Sequence, residues 1–143
     1  MKVLAWNRSG VLEDLPCEAC DLDDLFERAD VVSLHLSLND ETEKMIDARH
    51  LALMRPQALL INTARGGIID EPALITALQD KKIAHAGLDV FAEEPLPADH
   101  PFLGMANVTL TSHAGFMTRE ASARLLQMAL EIMRDELAGL VHN

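Results

Sequence analysis

The sequence predicts an α/β fold, with helices covering both faces of a parallel sheet, and three observations carry that expectation. Short apolar runs rich in Val, Leu and Ile alternate with helical stretches along the chain. The runs lack polar alternation, the pattern of strands enclosed on both sides. No repeat, low-complexity tract or obvious linker interrupts the alternation.

Each element follows from local chemistry. Lys2–Trp6 reads as a strand. Asp21–Arg28 reads as a short helix with acids in its first turn, where carboxylates complement the helix dipole. Val31–Leu36 is the next strand. Asp47–Met54 is a helix stopped by Pro56, which lacks an N–H and clashes with a continuing helix. Ala58–Asn62 is again a strand. Asp70-Glu71-Pro72 opens a helix to Gln79, with the proline tolerated in the first turn. Ile83–Val90 and Asn107–Thr111 complete the strands. Thr118–Leu137 is a long amphipathic helix whose Met128, Leu130 and Met133 are expected in the core. Ala92–Ala106 is a Pro- and acid-rich loop, and a loop that long in a compact domain is usually functional or disordered.

Composition narrows the partners. The 143 residues suit one domain, and 49% hydrophobic with 24% charged residues is a globular balance. Twelve Lys and Arg against 23 Asp and Glu give a net charge of −11, which repels a phosphate backbone, so nucleic acid is not an expected partner. No apolar run reaches the ~18 residues of a membrane span, and the start carries no signal-peptide pattern. Two cysteines cannot build a disulfide framework, which fits a cytoplasmic setting. Cys17-Glu18-Ala19-Cys20 has a zinc-like spacing, but no matching pair of ligands follows, and no metal site is expected. Its acidic surroundings (Glu13, Asp14, Glu18, Asp21, Asp23, Asp24) would raise thiol pKa values and disfavour redox chemistry. His35, His50, His85, His100 and His142 have no partner pattern and read as structural or surface residues.

In open parallel sheets, ligands bind beyond the carboxyl ends of the strands. Three such ends carry uncommon polar residues. Ala58–Asn62 runs into Thr63-Ala64-Arg65-Gly66-Gly67, Ile83–Val90 delivers Asp89 and then Glu94, and Asn107–Thr111 delivers Ser112-His113-Ala114-Gly115. Arg could grip a carboxylate bidentately, His could transfer a proton, and Glu could orient the His. Each also has a plainer reading: Arg65 as a surface cation, His113 as a buried, satisfied histidine, Glu94 as a solvated charge.

Asn62-Thr63-Ala64-Arg65-Gly66-Gly67-Ile68-Ile69-Asp70-Glu71, then Gly87-Leu88-Asp89-Val90-Phe91-Ala92-Glu93-Glu94-Pro95, then His113-Ala114-Gly115 resemble the three signatures of the D-isomer-specific 2-hydroxyacid dehydrogenases, in family order. The resemblance covers essentially the whole chain. It implies an NAD(P)-dependent oxidoreductase reducing a small 2-oxo acid to a D-2-hydroxy acid, in the manner of glyoxylate/hydroxypyruvate reductases. Arg65 would bind the substrate carboxylate and polarise the 2-oxo group. His113 would donate the proton, and Glu94 would bond the other ring nitrogen. Asp89 would contact the nicotinamide carboxamide, and Leu36, Ser37, Thr63, Ala64 and Gly115 would line the dinucleotide.

Against that family pattern, the seven glycines contain no G-x-G-x-x-G turn, and Met1–Trp6 resembles the second strand of the nucleotide domain. The expectation is therefore an incomplete, doubly wound, Rossmann-like parallel sheet lacking its first strand and helix, with residues 1–143 forming a partial dinucleotide-binding domain. In the order 3-2-1-4-5-6 the first strand is central, so its absence should leave two halves with unpaired edges. A fragment, or a gene model begun at an internal Met, with no useful catalysis of its own, is the expected origin. A free-standing remnant, complemented by a partner or closed by direct pairing of the halves, is the alternative. A dinucleotide-sensing, corepressor-like dimerisation module is a further one. The first predicted strand ends in Asn7-Arg8-Ser9 with no acid until Glu13, which favours NADP(H) over NAD(H), because Arg can accommodate a 2′-phosphate. Arg8 could equally stack on adenine or face solvent. Full-length relatives imply a homodimer.

Overall fold

Val32, Leu34, Leu60, Ala86 and Leu88 are buried while alternate neighbours are more open, and this period-two burial organises the main sheet. The structure, a computed structural model, describes residues 1–141. Two compact units form, Met1–Ser112 and His113–Asn143.

In the first unit, β1 (Leu4–Ala5) and β2 (Glu18–Ala19) precede α1 (Leu22–Arg28) and β3 (Val31–Leu34). Then come α2 (Ala48–Leu53), β4 (Leu59–Asn62), α3 (Glu71–Gln79), β5 (His85–Leu88) and β6 (Val108–Leu110). β3-β4-β5-β6 form a wholly parallel sheet in chain order, while β1 and β2 form a separate parallel pair. Both sheets obey the expected class. The two-sheet arrangement also matches the expected central gap, because β1 and β3 are not paired. Direct closure of the halves is therefore overturned. A groove of about 350 Å³ lies there, lined by Leu4–Asn7 of the β1 side, Val32–Leu36 of the β3 side and Phe26 of α1.

One register row runs Val32, Leu60, Ala86 and Val108, and the next runs Leu34, Asn62, Leu88 and Leu110. Phe26 of α1, Leu51 of α2 and Leu74, Ala77 and Leu78 of α3 share one apolar cluster with these rows. Asp47 starts α2 by accepting the N–H groups of Arg49 and His50 at 3.0 and 3.1 Å. Asp70 starts α3 by accepting that of Ala73. The opposite sheet face is open in this unit: Val31 is 53% and Leu59 37% exposed. Helices on both faces were expected, but α1, α2 and α3 all join the cluster on one side.

β2 was not foreseen. It is two exposed residues inside Cys17–Cys20, too short to leave a hydrophobic pattern. The expected strands are also shorter than read from sequence, as at Leu4–Ala5, because their outer residues lack ladder partners.

The second unit contains α4 (Arg119–Val141). Its Met128, Leu130 and Met133 are exposed, contrary to the core role expected of them. A single helix has no other layer within its own unit to cover an apolar stripe.

Candidate active site at the strand ends

Because β3 to β6 are parallel, their carboxyl ends share one edge. At the end of β4, Asn62 stands fully buried in a row otherwise made of leucines. A buried amide is costly unless bonded, and this one is bonded on both sides. Its Nδ2 donates to the Arg65 carbonyl at 2.9 Å, and its Oδ1 accepts the Ala64 N–H at 3.0 Å. The bonds curl Thr63-Ala64-Arg65 into a turn. Thr63 is exposed, and the exposed Arg65 guanidinium donates to the Ala64 carbonyl at 2.6 Å.

Gly66 then presses against the loop after β5. A Cβ at Gly66 would lie 1.9 Å from the Phe91 carbonyl carbon and 2.5 Å from the Ala92 nitrogen. Only glycine permits that approach. The Arg65 turn and the loop that carries Glu94 are thereby held side by side.

Asp89 is buried at the end of β5. Its N–H donates to the Asn62 carbonyl at 2.9 Å, and its carboxylate accepts the Thr111 hydroxyl at 2.5 Å. Thr111 is fixed in turn by donating its N–H to the Leu88 carbonyl. Further on, the exposed Glu94 accepts the Phe91 N–H at 3.0 Å through Oε1. The Ala92–Ala106 stretch is ordered and includes a 3₁₀ turn at Pro101–Gly104. Within it, His100 meets Glu71 at 3.1 Å, so His100 does have a partner that the sequence pattern did not announce.

Beyond β3, half-buried Leu36 lies between His35 and exposed Ser37. The Ser37 carbonyl accepts the buried Thr42 hydroxyl at 2.6 Å. Beyond β1, the chain turns at Asn7–Gly10, with the Gly10 N–H donating to the Asn7 carbonyl and Gly10 at φ +87°. Asn7 donates to the Ser9 hydroxyl at 3.2 Å. Arg8 is ion-paired with Glu41. A groove of about 560 Å³ opens here, bordered by Arg8 and Arg28 but also by Glu18, Asp21 and Asp24.

His113 and Gly115 belong to the second unit. His113 adopts φ +53°, a left-handed conformation few non-glycine residues accept, and its ring meets Phe116 edge-on at 6.2 Å. Such strain marks functional positions often enough to motivate a role.

The first unit thus gathers Thr63, Ala64, Arg65, Asp89 and Glu94 on one edge. Asn62, Gly66 and Thr111 bond to or pack against that edge, and sequence reasoning assigned them no such task. An asparagine closing an apolar strand just before a glycine-containing turn was the available signal.

Among the described residues, no group of three or more His, Cys, Asp or Glu could hold a metal ion. Cys17 and Cys20 are free thiols, and burial is the main influence that raises Cys20. Asp24, Glu18 and Asp21 push the same way and Arg28 opposes them, so the acidic surroundings act in the expected direction but second to desolvation. His50 bonds Asp47 at 2.7 Å, and His142 lies outside the described residues.

Residues 1–115 match the family model of the D-isomer specific 2-hydroxyacid dehydrogenase NAD binding domain. The chain belongs to that family. It is 43% identical over 134 residues to a glyoxylate reductase of Aeropyrum pernix, spanning 92% of this chain and 40% of the relative. With glyoxylate/hydroxypyruvate reductase B of Shigella boydii the identity is 46% over 124 residues, spanning 87% and 38%. The chain therefore covers well under half the length of these curated relatives. Among solved structures, an acyclic imino acid reductase in complex with NADPH and D-Arg superposes with a TM-score of 0.90 at 34% identity, covering 97% of this chain and 44% of that one. An NAD-complexed D-isomer specific 2-hydroxyacid dehydrogenase from Lactobacillus delbrueckii gives 0.87 at 36% identity, covering 96% and 46%. The fold is thus Rossmann-like, part of a 2-hydroxyacid dehydrogenase nucleotide domain.

Proposed function

We propose that residues 1–143 form a partial dinucleotide-binding domain serving the reduction of a small 2-oxo acid, such as glyoxylate or hydroxypyruvate, to the D-2-hydroxy acid. The observation that carries the proposal is the shared edge on which the Arg65 turn, Asp89 and the Glu94 loop are packed, with Gly66 against Phe91 and Ala92.

The donor set suits a dinucleotide. Asn7, Arg8 and Ser9 would bind the ribose that carries the 2′-hydroxyl or 2′-phosphate, and Leu36, Ser37, Thr63, Ala64 and Gly115 would line the rest. Asp89, already oriented by Thr111, has a carboxylate suited to accepting from a carboxamide. NAD(P)H supplies the hydride when bound. Arg65 grips the substrate carboxylate and draws electron density from the 2-oxo group, which makes its carbon a better acceptor. His113 gives a proton to the oxygen that gains charge. Glu94 would orient His113 by bonding its other ring nitrogen.

Arg8 supports a preference for NADP(H) over NAD(H), although Glu41 already shares its charge. In this reading the working enzyme is a cytoplasmic homodimer. The net charge of −11 speaks against nucleic-acid partners. No helix among the described residues is long and apolar enough to cross a membrane.

The test is a chimera in which these residues replace the matching segment of the Aeropyrum pernix relative. NADPH oxidation with glyoxylate or hydroxypyruvate, exceeding that with NADH, is the expected result. A folded, NADPH-binding chimera with no turnover on any small 2-oxo acid would overturn the reading.

A further inference from the structure

The loop that carries Glu94 is tied at two points to a single side chain outside it. Glu71, the first residue of α3, accepts the Ala92 N–H at 3.3 Å through Oε2 and meets His100 Nε2 at 3.1 Å through Oε1. The His100 Nδ1 accepts the Phe102 N–H at 3.3 Å, which leaves the ring proton on Nε2, facing Glu71. Both side chains are largely buried, His100 at 13% and Glu71 at 20% exposure. In such surroundings a carboxylate-to-imidazole bond is stronger than on an open surface.

We propose that Glu71 and His100 form a latch that positions the Glu94 carboxylate. The latch clamps Ala92 and His100, eight residues apart, so the intervening loop is closed upon α3. Glu94 lies two residues beyond the Ala92 clamp and bonds back to Phe91, the residue just before it. Phe91 and Ala92 are also the atoms against which Gly66 packs, so the latch fixes the Glu94 loop relative to the Arg65 turn. Glu71 and His100 are positioning residues, acting through Glu94. Their importance to catalysis rests on the function proposed above, whereas their hold on the loop does not.

A competing, purely local role exists for His100. Its Nδ1 caps the 3₁₀ turn, and its ring packs on Phe102 at 4.7 Å between centroids. Two substitutions separate the roles. In His100→Gln the amide nitrogen reaches roughly where Nε2 stood and can still donate to Glu71, while the cap is lost. In His100→Asn the oxygen stands near Nδ1 and keeps the cap, but the side chain is too short for Glu71.

The experiment is amide hydrogen exchange, read by NMR on the 143-residue chain, with Glu71→Gln as a third variant. The Phe91 amide reports the Glu94 carboxylate directly, and the Asp89 amide, bonded to Asn62, is the internal control. Glu71→Gln and His100→Asn should speed exchange at Phe91 and Ala92 about tenfold, with Asp89 unchanged. His100→Gln should stay within about threefold of the native rates. Unchanged Phe91 exchange in Glu71→Gln, or a larger effect of His100→Gln than of His100→Asn, would overturn the latch. Absence of turnover in the chimera would refute the proposed function while leaving the exchange pattern intact.

Discussion

The ends of β4 and β5 and the end of β1 carry residues assigned to the same dinucleotide, yet they are held by different means. At β4 and β5 the turns are fixed by buried polar bonds: Asn62 to Arg65 and Ala64, Thr111 to Asp89, and glycine packing at Gly66. At β1 a two-residue strand pairs with another of equal length, and exposed ion pairs tie Glu18 to Lys2 and Arg28. Surface pairs of that kind contribute little, whereas buried, fully bonded groups lose much if one partner is removed. The groove between β1 and β3 is where the sheet lacks continuity, and it divides the well-held edge from the loosely held one.

The contrast can be broken most directly with paired truncations. Leu60 is fully buried at the centre of β4, and Leu60→Ala should cost about 4 kcal/mol in denaturant unfolding. Leu4→Ala, in half-buried β1, should cost about 1 kcal/mol or less. Equal losses would show that β1 belongs to the same cooperative core.

Glycine substitutions sharpen it further. Gly66→Ala must push Phe91 and Ala92 aside and should cost about 3 kcal/mol. Gly10→Ala meets nothing within 4 Å and strains only its own φ of +87°, so about 1 kcal/mol is expected. Thermal unfolding of both variants decides the order.

Asn62→Leu restores an apolar row but leaves the Arg65 carbonyl and Ala64 N–H without their partner, for a loss of about 2 kcal/mol. A neutral or stabilising result by chemical denaturation would mean the turn re-forms without the amide.

Acid should touch the ion-paired region in the smallest step. Lys2 and Arg28 hold the Glu18 carboxyl below its usual range, Arg49 does so for Asp23, and the N–H of His50 leads for Asp47. A depressed carboxyl pKa stabilises the fold fully above the ordinary range, near pH ~4, and that contribution fades as pH falls through the folded values. Glu18→Gln should therefore flatten a shallow loss of stability below pH ~4 without altering stability's slope near neutrality. An unchanged acid limb would deny Glu18 that role.

Much of this was legible from residue patterns. The four main strands and helices were marked by apolar runs, by Pro56 and by the Asp47 and Asp70 caps. The central gap followed from the absent glycine turn. The open sheet face and exposed α4 were not legible, because an apolar run does not say whether anything covers it. Asn62 sat inside a recognised motif, and its bonds to Ala64 and Arg65 are local, but the motif by itself does not say which of its residues is buried. The Glu71–His100 contact joins residues 29 apart, and no local spacing encodes it.

In the proposed reaction the strand-end residues transfer the proton and bind the substrate. The most direct measurement is the steady-state kcat of the chimera with NADPH and glyoxylate, before and after His113→Gln. A fall of about a hundredfold or more is expected, with NADPH affinity retained. Turnover unchanged by the substitution would contradict it.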